Sequence, residues 1–321
     1  MMKQRTRFLL FLLALTSTST LLASDKLLLQ ASEDSLCKQA FLVFHCKTEE
    51  ARFKANTRFL SLMEETLKLE GSFEYSFDSL KDIGKLKAPD QSFRIYEWNL
   101  QRDDGSMVYY GFIQRPNPKT KKFDLFQLYD KSAEIKNPES QSLDCKKWFG
   151  ALYYKIIKTK TAKNTYYTLL GWDGHNSLTW RKLIEVLWFD KEGTPHFGES
   201  LFVMGKLPKK RIVFEFRAEM IMALKYNDEK GMIIFDNLAP EAPEGKGIYE
   251  TYVMDGSYNG FVFKKGKWQY IPEVNALNPK SPNDKFYEDP RAESDKKGSN
   301  TMGPPQKPKA TAPNTTVPKQ Q

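Results

Sequence analysis

From Ser92 onward, apolar and polar residues alternate with a period of two, interrupted by short polar turns. Phe93-Arg94-Ile95-Tyr96-Glu97-Trp98 alternates, Asp103-Asp104-Gly105 turns the chain, and Met107 to Gln114 returns as a partner strand. Phe123 to Tyr129 is a further strand, and Asn137 to Ser142 reads as loop. Ala151–Lys158 and Tyr166–Trp172 flank a polar turn, and Lys182–Phe189 and His196–Val203 flank Asp190-Lys191-Glu192-Gly193. Arg211–Arg217, Met220–Tyr226 and Met232–Asp236 follow. A closing meander is expected from Gly247–Met254, Tyr258–Phe263 and Lys267–Ile271, with turns at Asp255-Gly256-Ser257 and Lys264-Lys265-Gly266. About a dozen short strands at this spacing predict a mainly β, antiparallel domain: a sandwich, a barrel or a propeller-like assembly.

One helix stands out. Thr48 can cap it, Glu49 and Glu50 suit its first turn, and Phe53, Leu60, Met63 and Leu67 recur at helical spacing before Gly71. This predicts an amphipathic helix over 48–70, packed on the β domain. Residues 24–47 read as an extended lead-in. The β domain with its helix spans 48–271 and contains all six tryptophans.

The two ends have a different character. Lys3, Arg5 and Arg7 precede the apolar run Phe8 to Leu15, and a Ser/Thr stretch leads to Ala23. That is the layout of a signal peptide over 1–23. It implies export to the periplasm, the cell envelope or the medium. The apolar run is too short to span a bilayer as a helix, and no later segment is long and apolar enough to do so. Residues 272–321 hold nine of the chain's 17 prolines and only two aromatics, Phe286 and Tyr287. Such a segment cannot bury enough apolar surface to offset its ordering entropy, so a disordered Pro/Lys-rich tail is expected.

Charge alters this picture little. The net +9 becomes +6 without Lys3, Arg5 and Arg7. A surplus spread so thinly does not point to nucleic acid. Cysteine usage matters more. Export favours disulfides, and Cys37 and Cys46, nine residues apart, are the expected pair, with Cys145 either a buried thiol or a partner for one of the other two.

Candidate chemistry concentrates in Leu170-Gly171-Trp172-Asp173-Gly174-His175-Asn176-Ser177. Asp173 and His175 are the candidate catalytic pair, with His175 as a general base. Trp172 and Asn176 are the candidate ligand contacts. Asp173 and Asn176 could also ligate calcium, and the same residues suit an ordinary hairpin turn. His196 opens a strand, and alternation places Glu199 on the other face. No G-x-S-x-G elbow, P-loop or dinucleotide fingerprint occurs. Three histidines leave little material for a triad or a zinc site, and no metal or cofactor is expected. The adjacent pairs Tyr109-Tyr110, Tyr153-Tyr154 and Tyr166-Tyr167 imply burial on two sides of a sheet, or an aromatic ligand groove.

Tyr166 to Gly174, with Phe149-Gly150-Ala151-Leu152-Tyr153-Tyr154-Lys155-Ile156 before it and Gly256-Ser257-Tyr258-Asn259-Gly260-Phe261 after it, resembles a group of uncharacterised secreted bacterial proteins. The resemblance covers about 48–271 and implies an exported, β-rich bacterial protein, with no activity attached. The expected function is non-catalytic: an envelope protein that binds a partner protein or glycan through its β domain. The alternative is a secreted hydrolase of peptide or glycan, with its site at the Asp173/His175 loop.

Overall fold

The computed structural model describes residues 25–275, apart from positions 121 and 163. The expected leader over 1–23 and nearly all of the expected tail over 272–321 lie outside the described residues. Among the described residues two helices come first: α1 over residues 25–45 and α2 over Glu49–Leu67. Fifteen strands follow: β1 (Gly84–Lys87), β2 (Arg94–Gln101), β3 (Met107–Pro116), β4 (Phe123–Tyr129), β5 (Leu143–Asp144), β6 (Leu152–Lys160), β7 (Thr165–Asp173), β8 (Thr179–Phe189), β9 (Pro195–Phe197), β10 (Phe202–Val203), β11 (Ile212–Arg217), β12 (Leu224–Asn227), β13 (Met232–Pro240), β14 (Tyr252–Lys264) and β15 (Lys267–Ile271).

The strands form three sheets and no closed barrel. The first is β1-β2-β3-β4. The second is β5-β9-β8-β7-β6, with β11 also paired to β8. The third is β10-β15-β14-β13-β12. All pairs are antiparallel except β10 with β15. Three apolar cores separate four layers. Helices α1 and α2 pack on the first sheet through Leu36, Val43, Phe59 and Met63 against Tyr96, Trp98 and Phe112. The first sheet packs on the second through Phe93, Ile95 and Ile113 against Leu169, Leu183 and Leu187. The second packs on the third through Leu170, Ile184 and Val186 against Ile233, Phe235 and Phe261. The second sheet is thus buried on both faces.

This layering accounts for the tyrosine pairs. Tyr109 joins the core between the first two sheets, whereas Tyr110 packs on the helix side. Tyr167 and Tyr166 divide in the same way between the two faces of the second sheet. Tyr153 enters the first of those cores, and Tyr154 donates from its hydroxyl to the Leu224 carbonyl of the third sheet at 2.9 Å. Two-sided burial uses all three pairs, and no aromatic groove is needed to explain them.

Several expectations need correction. Of the lead-in expected to be extended over 24–47, residues 25–45 are helical. Leu29, Leu36, Ala40 and Val43 form a buried stripe. Glu33 interrupts that stripe and hides the period. It is buried because its carboxylate accepts from the Tyr75 hydroxyl at 2.7 Å and the Ser79 amide at 2.7 Å. The Cys37–Cys46 disulfide is absent, and all three cysteines are free. Nine residues of helix rise about 13.5 Å, whereas a disulfide needs Cα atoms within about 7 Å. Met220–Tyr226 is a strand only from Leu224, and His196–Val203 is split into β9 and β10 at Gly198, whose φ is +85°. Asp255-Gly256-Ser257 does not reverse the chain. It bulges from β14, which pairs with β13 on both sides of it, from Tyr252 to Val262. Strand β1 was not anticipated.

The predicted helix is observed with a shorter C-terminus. Thr48 Oγ1 accepts from the Ala51 amide at 3.3 Å. Asn56 then accepts from the Trp98 indole at 2.7 Å, which fixes α2 to β2.

The core between the first two sheets is not wholly apolar. Arg211, just before β11, donates from Nε to Glu185 on β8 at 2.7 Å, and neither side chain has any exposed surface. Its Nη1 donates to the carbonyls of Pro138 and Gln141. Burial raises the Glu185 proton affinity, and Arg211 opposes that shift. Removing one member of such a pair leaves a bare buried charge, which costs about 3–5 kcal/mol. Arg211→Ala should therefore lower the unfolding free energy by about that much in urea titrations, and Arg211→Met with Glu185→Leu should recover most of it. A single substitution costing under about 1 kcal/mol would contradict this account.

Candidate functional site

Strand register assembles the site. Asp173 stands opposite Arg181 across β7 and β8, and Arg181 stands opposite Glu215 across β8 and β11. Cross-strand partners share a face, so the three side chains form one row, acid–base–acid. The face is the one that packs on the first sheet, because Leu183 and Leu187 of β8 alternate onto the same side. Beyond those leucines the two sheets part, and the space between them opens into a cleft of about 1180 Å³. The row is its floor. Tyr109 and Met107 of β3 form one wall, and Asp130 to Ser140 with Leu207 to Lys209 form the other.

Hydrogen bonds hold the floor rigid. Arg181 Nε donates to Glu215 Oε2 at 2.8 Å, and its Nη1 lies 3.7 Å from Asp173 Oδ2. Thr179 Oγ1 donates to Glu215 Oε1 at 2.8 Å. Asp173 Oδ1 accepts from the His175 amide at 2.7 Å, and the Tyr109 hydroxyl accepts from the Gly174 amide at 2.7 Å. Asp130 accepts from the Tyr109 amide at 3.0 Å and from the Ser132 amide and hydroxyl.

The expected residues divide between two roles. Asp173 and His175 line the cleft, but not as an acid–base pair. The contact between them is through the His175 backbone amide. The ring turns away, and its Nε2 lies 3.8 Å from Glu215 Oε1. His175 takes a left-handed φ of +39°, a strained setting for histidine. Asn176 also reaches the cleft, but its Oδ1 accepts from the Leu178 and Thr179 amides at 2.8 Å each. That closes the turn and turns the oxygen away from any calcium shared with Asp173. Trp172 lies on the opposite face of β7, edge-on to Trp180 at 5.8 Å, and does not line the cleft. His196 pairs with Asp190 at 2.9 Å, not with Glu199. Among the described residues, no three His, Cys, Asp or Glu side chains converge as metal ligands.

Arg181 and Asp130 were missed from sequence, and Tyr109 stood out there only as half of a tyrosine pair. A hairpin folded about residue 177 places 173 opposite 181, so Arg181 had a readable signal. Glu215 arrives by a long connection and had none.

Burial governs the proton chemistry. It raises the Asp173 pKa from 3.8 to about 6, against the pull of the His175 amide and Arg181. It lowers the His175 pKa from 6.5 to about 4, assisted by Arg181. The imidazole is therefore neutral at pH 7.

Comparison with family models, with curated proteins and with solved structures gives no match.

The two shifts predict an unusual pH response. A raised Asp173 pKa means that the folded state binds the extra proton between pH 3.8 and about 6, so stability falls as pH rises there. A lowered His175 pKa means that the unfolded state binds the extra proton between about 4 and 6.5, so stability rises with pH there. The slopes oppose, each at most about 1.4 kcal/mol per pH unit. Asp173→Asn should unmask a rise in stability between roughly pH 4 and 6, and His175→Gln should unmask a fall. Urea midpoints measured across that range check both, and slopes of the same sign in the two variants would contradict the assignment.

Proposed function

We propose that this is an exported, non-catalytic envelope protein that binds a partner or ligand in the cleft between its first and second sheets. The observation that carries this reading is the floor itself. A preformed row of charged side chains lies at the end of a packed core, open on one side, and the cleft is large for a small-molecule site. Support for export comes from the basic start and apolar run of residues 3–15. Against catalysis, the cleft serines Ser106 and Ser132 each donate their hydroxyl to a carboxylate at 2.6 Å, Asp104 and Asp130, and Ser132 also accepts from the Gly150 amide. Neither serine is therefore paired with a histidine base.

The hydrolase is kept as a second reading on one observation: Asp173 holds its proton up to about 6, as a general acid would. It would act with Glu215 rather than with His175.

A panel of peptides and glycan fragments, incubated with the purified chain, separates the two. Binding by calorimetry with every probe recovered at unchanged mass is expected. Ala133→Trp, at an exposed position on the cleft wall, should weaken that binding about tenfold or more. Turnover that Asp173→Asn abolishes would overturn the non-catalytic reading. Undiminished binding in Ala133→Trp would overturn the cleft as the site.

A further inference from the structure

The charges in the cleft do not cancel. On its walls Lys131 pairs with Glu134 at 2.7 Å and Lys209 with Glu139 at 2.5 Å, and Arg102, which also lines it, lies 3.6 Å from Glu49. Those side chains balance. The floor sets Asp173 and Glu215 against Arg181 alone, and Asp130 on the wall beside them adds a further carboxylate. The result is an excess of negative charge inside a chain whose own balance is +9. His175 does not correct it, because the ring is neutral at pH 7.

The gap beside that ring has a defined geometry. His175 Nε2 and Glu215 Oε1 are 3.8 Å apart, too far to bond to each other. One donor group can lie about 2.9 Å from both. With its proton on Nδ1, the neutral ring offers Nε2 as an acceptor, and the carboxylate accepts only. Two acceptors and surplus negative charge suit an ammonium, which has three donors and a positive charge.

The lip is apolar. Leu207 is 80 % exposed and Tyr249 is 47 % exposed, both lining the same cleft along with Pro208 and Val213. Exposed apolar side chains beside negative charge complement a partner that carries an ammonium on an apolar stem within a longer chain, as a lysine-bearing polypeptide does. A free amine would fill the gap and leave the lip bare.

On the footing that the cleft is where the protein binds, we infer that its occupant is an extended polypeptide. The ammonium of one lysine sits between His175 Nε2 and Glu215 Oε1, and the flanking residues lie along Leu207 and Tyr249.

Three capped peptides test this on the full chain: acetyl-Ala-Lys-Ala-amide, its norleucine analogue and its glutamate analogue. The lysine peptide should bind at least about tenfold tighter than the norleucine peptide, and the glutamate peptide not measurably. Ring resonances of His175 should move with the lysine peptide alone, while those of His45 and His196 stay still. Glu215→Gln should weaken the lysine peptide about tenfold. Should that variant lose its fold along with the Arg181 pair, the His175 shifts in the unaltered chain still decide. Equal binding of lysine and norleucine peptides would overturn the charge assignment and leave the cleft as a peptide site. A bound lysine peptide that leaves His175 unmoved would overturn the seat. No binding by any of the three would overturn the polypeptide assignment, with the cleft itself judged separately by glycan binding.

Discussion

Arg211 shares one buried guanidinium between Glu185 on β8 and the carbonyls of Pro138 and Gln141. A charge at that depth is tolerated only if it is paired, so these groups must meet whenever the chain is folded. The consequence reaches well beyond the pair. Residues 138–141 are held against the start of β11, where Glu139 also accepts from the amides of Lys210 and Val213. That segment is one wall of the cleft, and β11 brings Glu215 to its floor. The same contact that spans the core thus shapes the site.

The second constraint is the two-sided burial of the second sheet. A sheet with one wet face would place its charged row in water, where it would be screened and of little use for recognition. Here the row begins where the hydrophobic packing of Leu183 and Leu187 ends. Asp173 is buried enough for its proton to stay until about pH 6, and His175 enough to be neutral. Both shifts come mainly from burial, so the electrostatics of the site follow from the layering of the fold.

Much of that layering could be read in the sequence. Period-two alternation located most strands, and the paired tyrosines signalled burial on both faces. Thr48 with Glu49 and Glu50 marked the start of α2. Three features resisted. Glu33 broke the stripe of α1, because a buried acid that is fully hydrogen-bonded looks like a surface residue in sequence. Asp255-Gly256-Ser257 has the composition of a reversal, and only the pairing with β13 makes it a bulge. The disulfide expectation relied on compartment and spacing, and the helix through Cys37 puts Cys46 out of reach. The site was legible in part. Asp173 and His175 stood out, yet their partnership was misjudged, because sequence adjacency suggested a contact that the backbone amide makes instead of the ring.

The central claim is that the cleft is where this protein meets its partner. A photo-crosslinking side chain placed at Leu207 on the lip, and separately at Lys225 on the exposed part of β12, tests it in cells that make the protein. The account predicts an adduct of defined mass from position 207 and none from position 225. An adduct from 225 alone, or the same adduct from both, would contradict it.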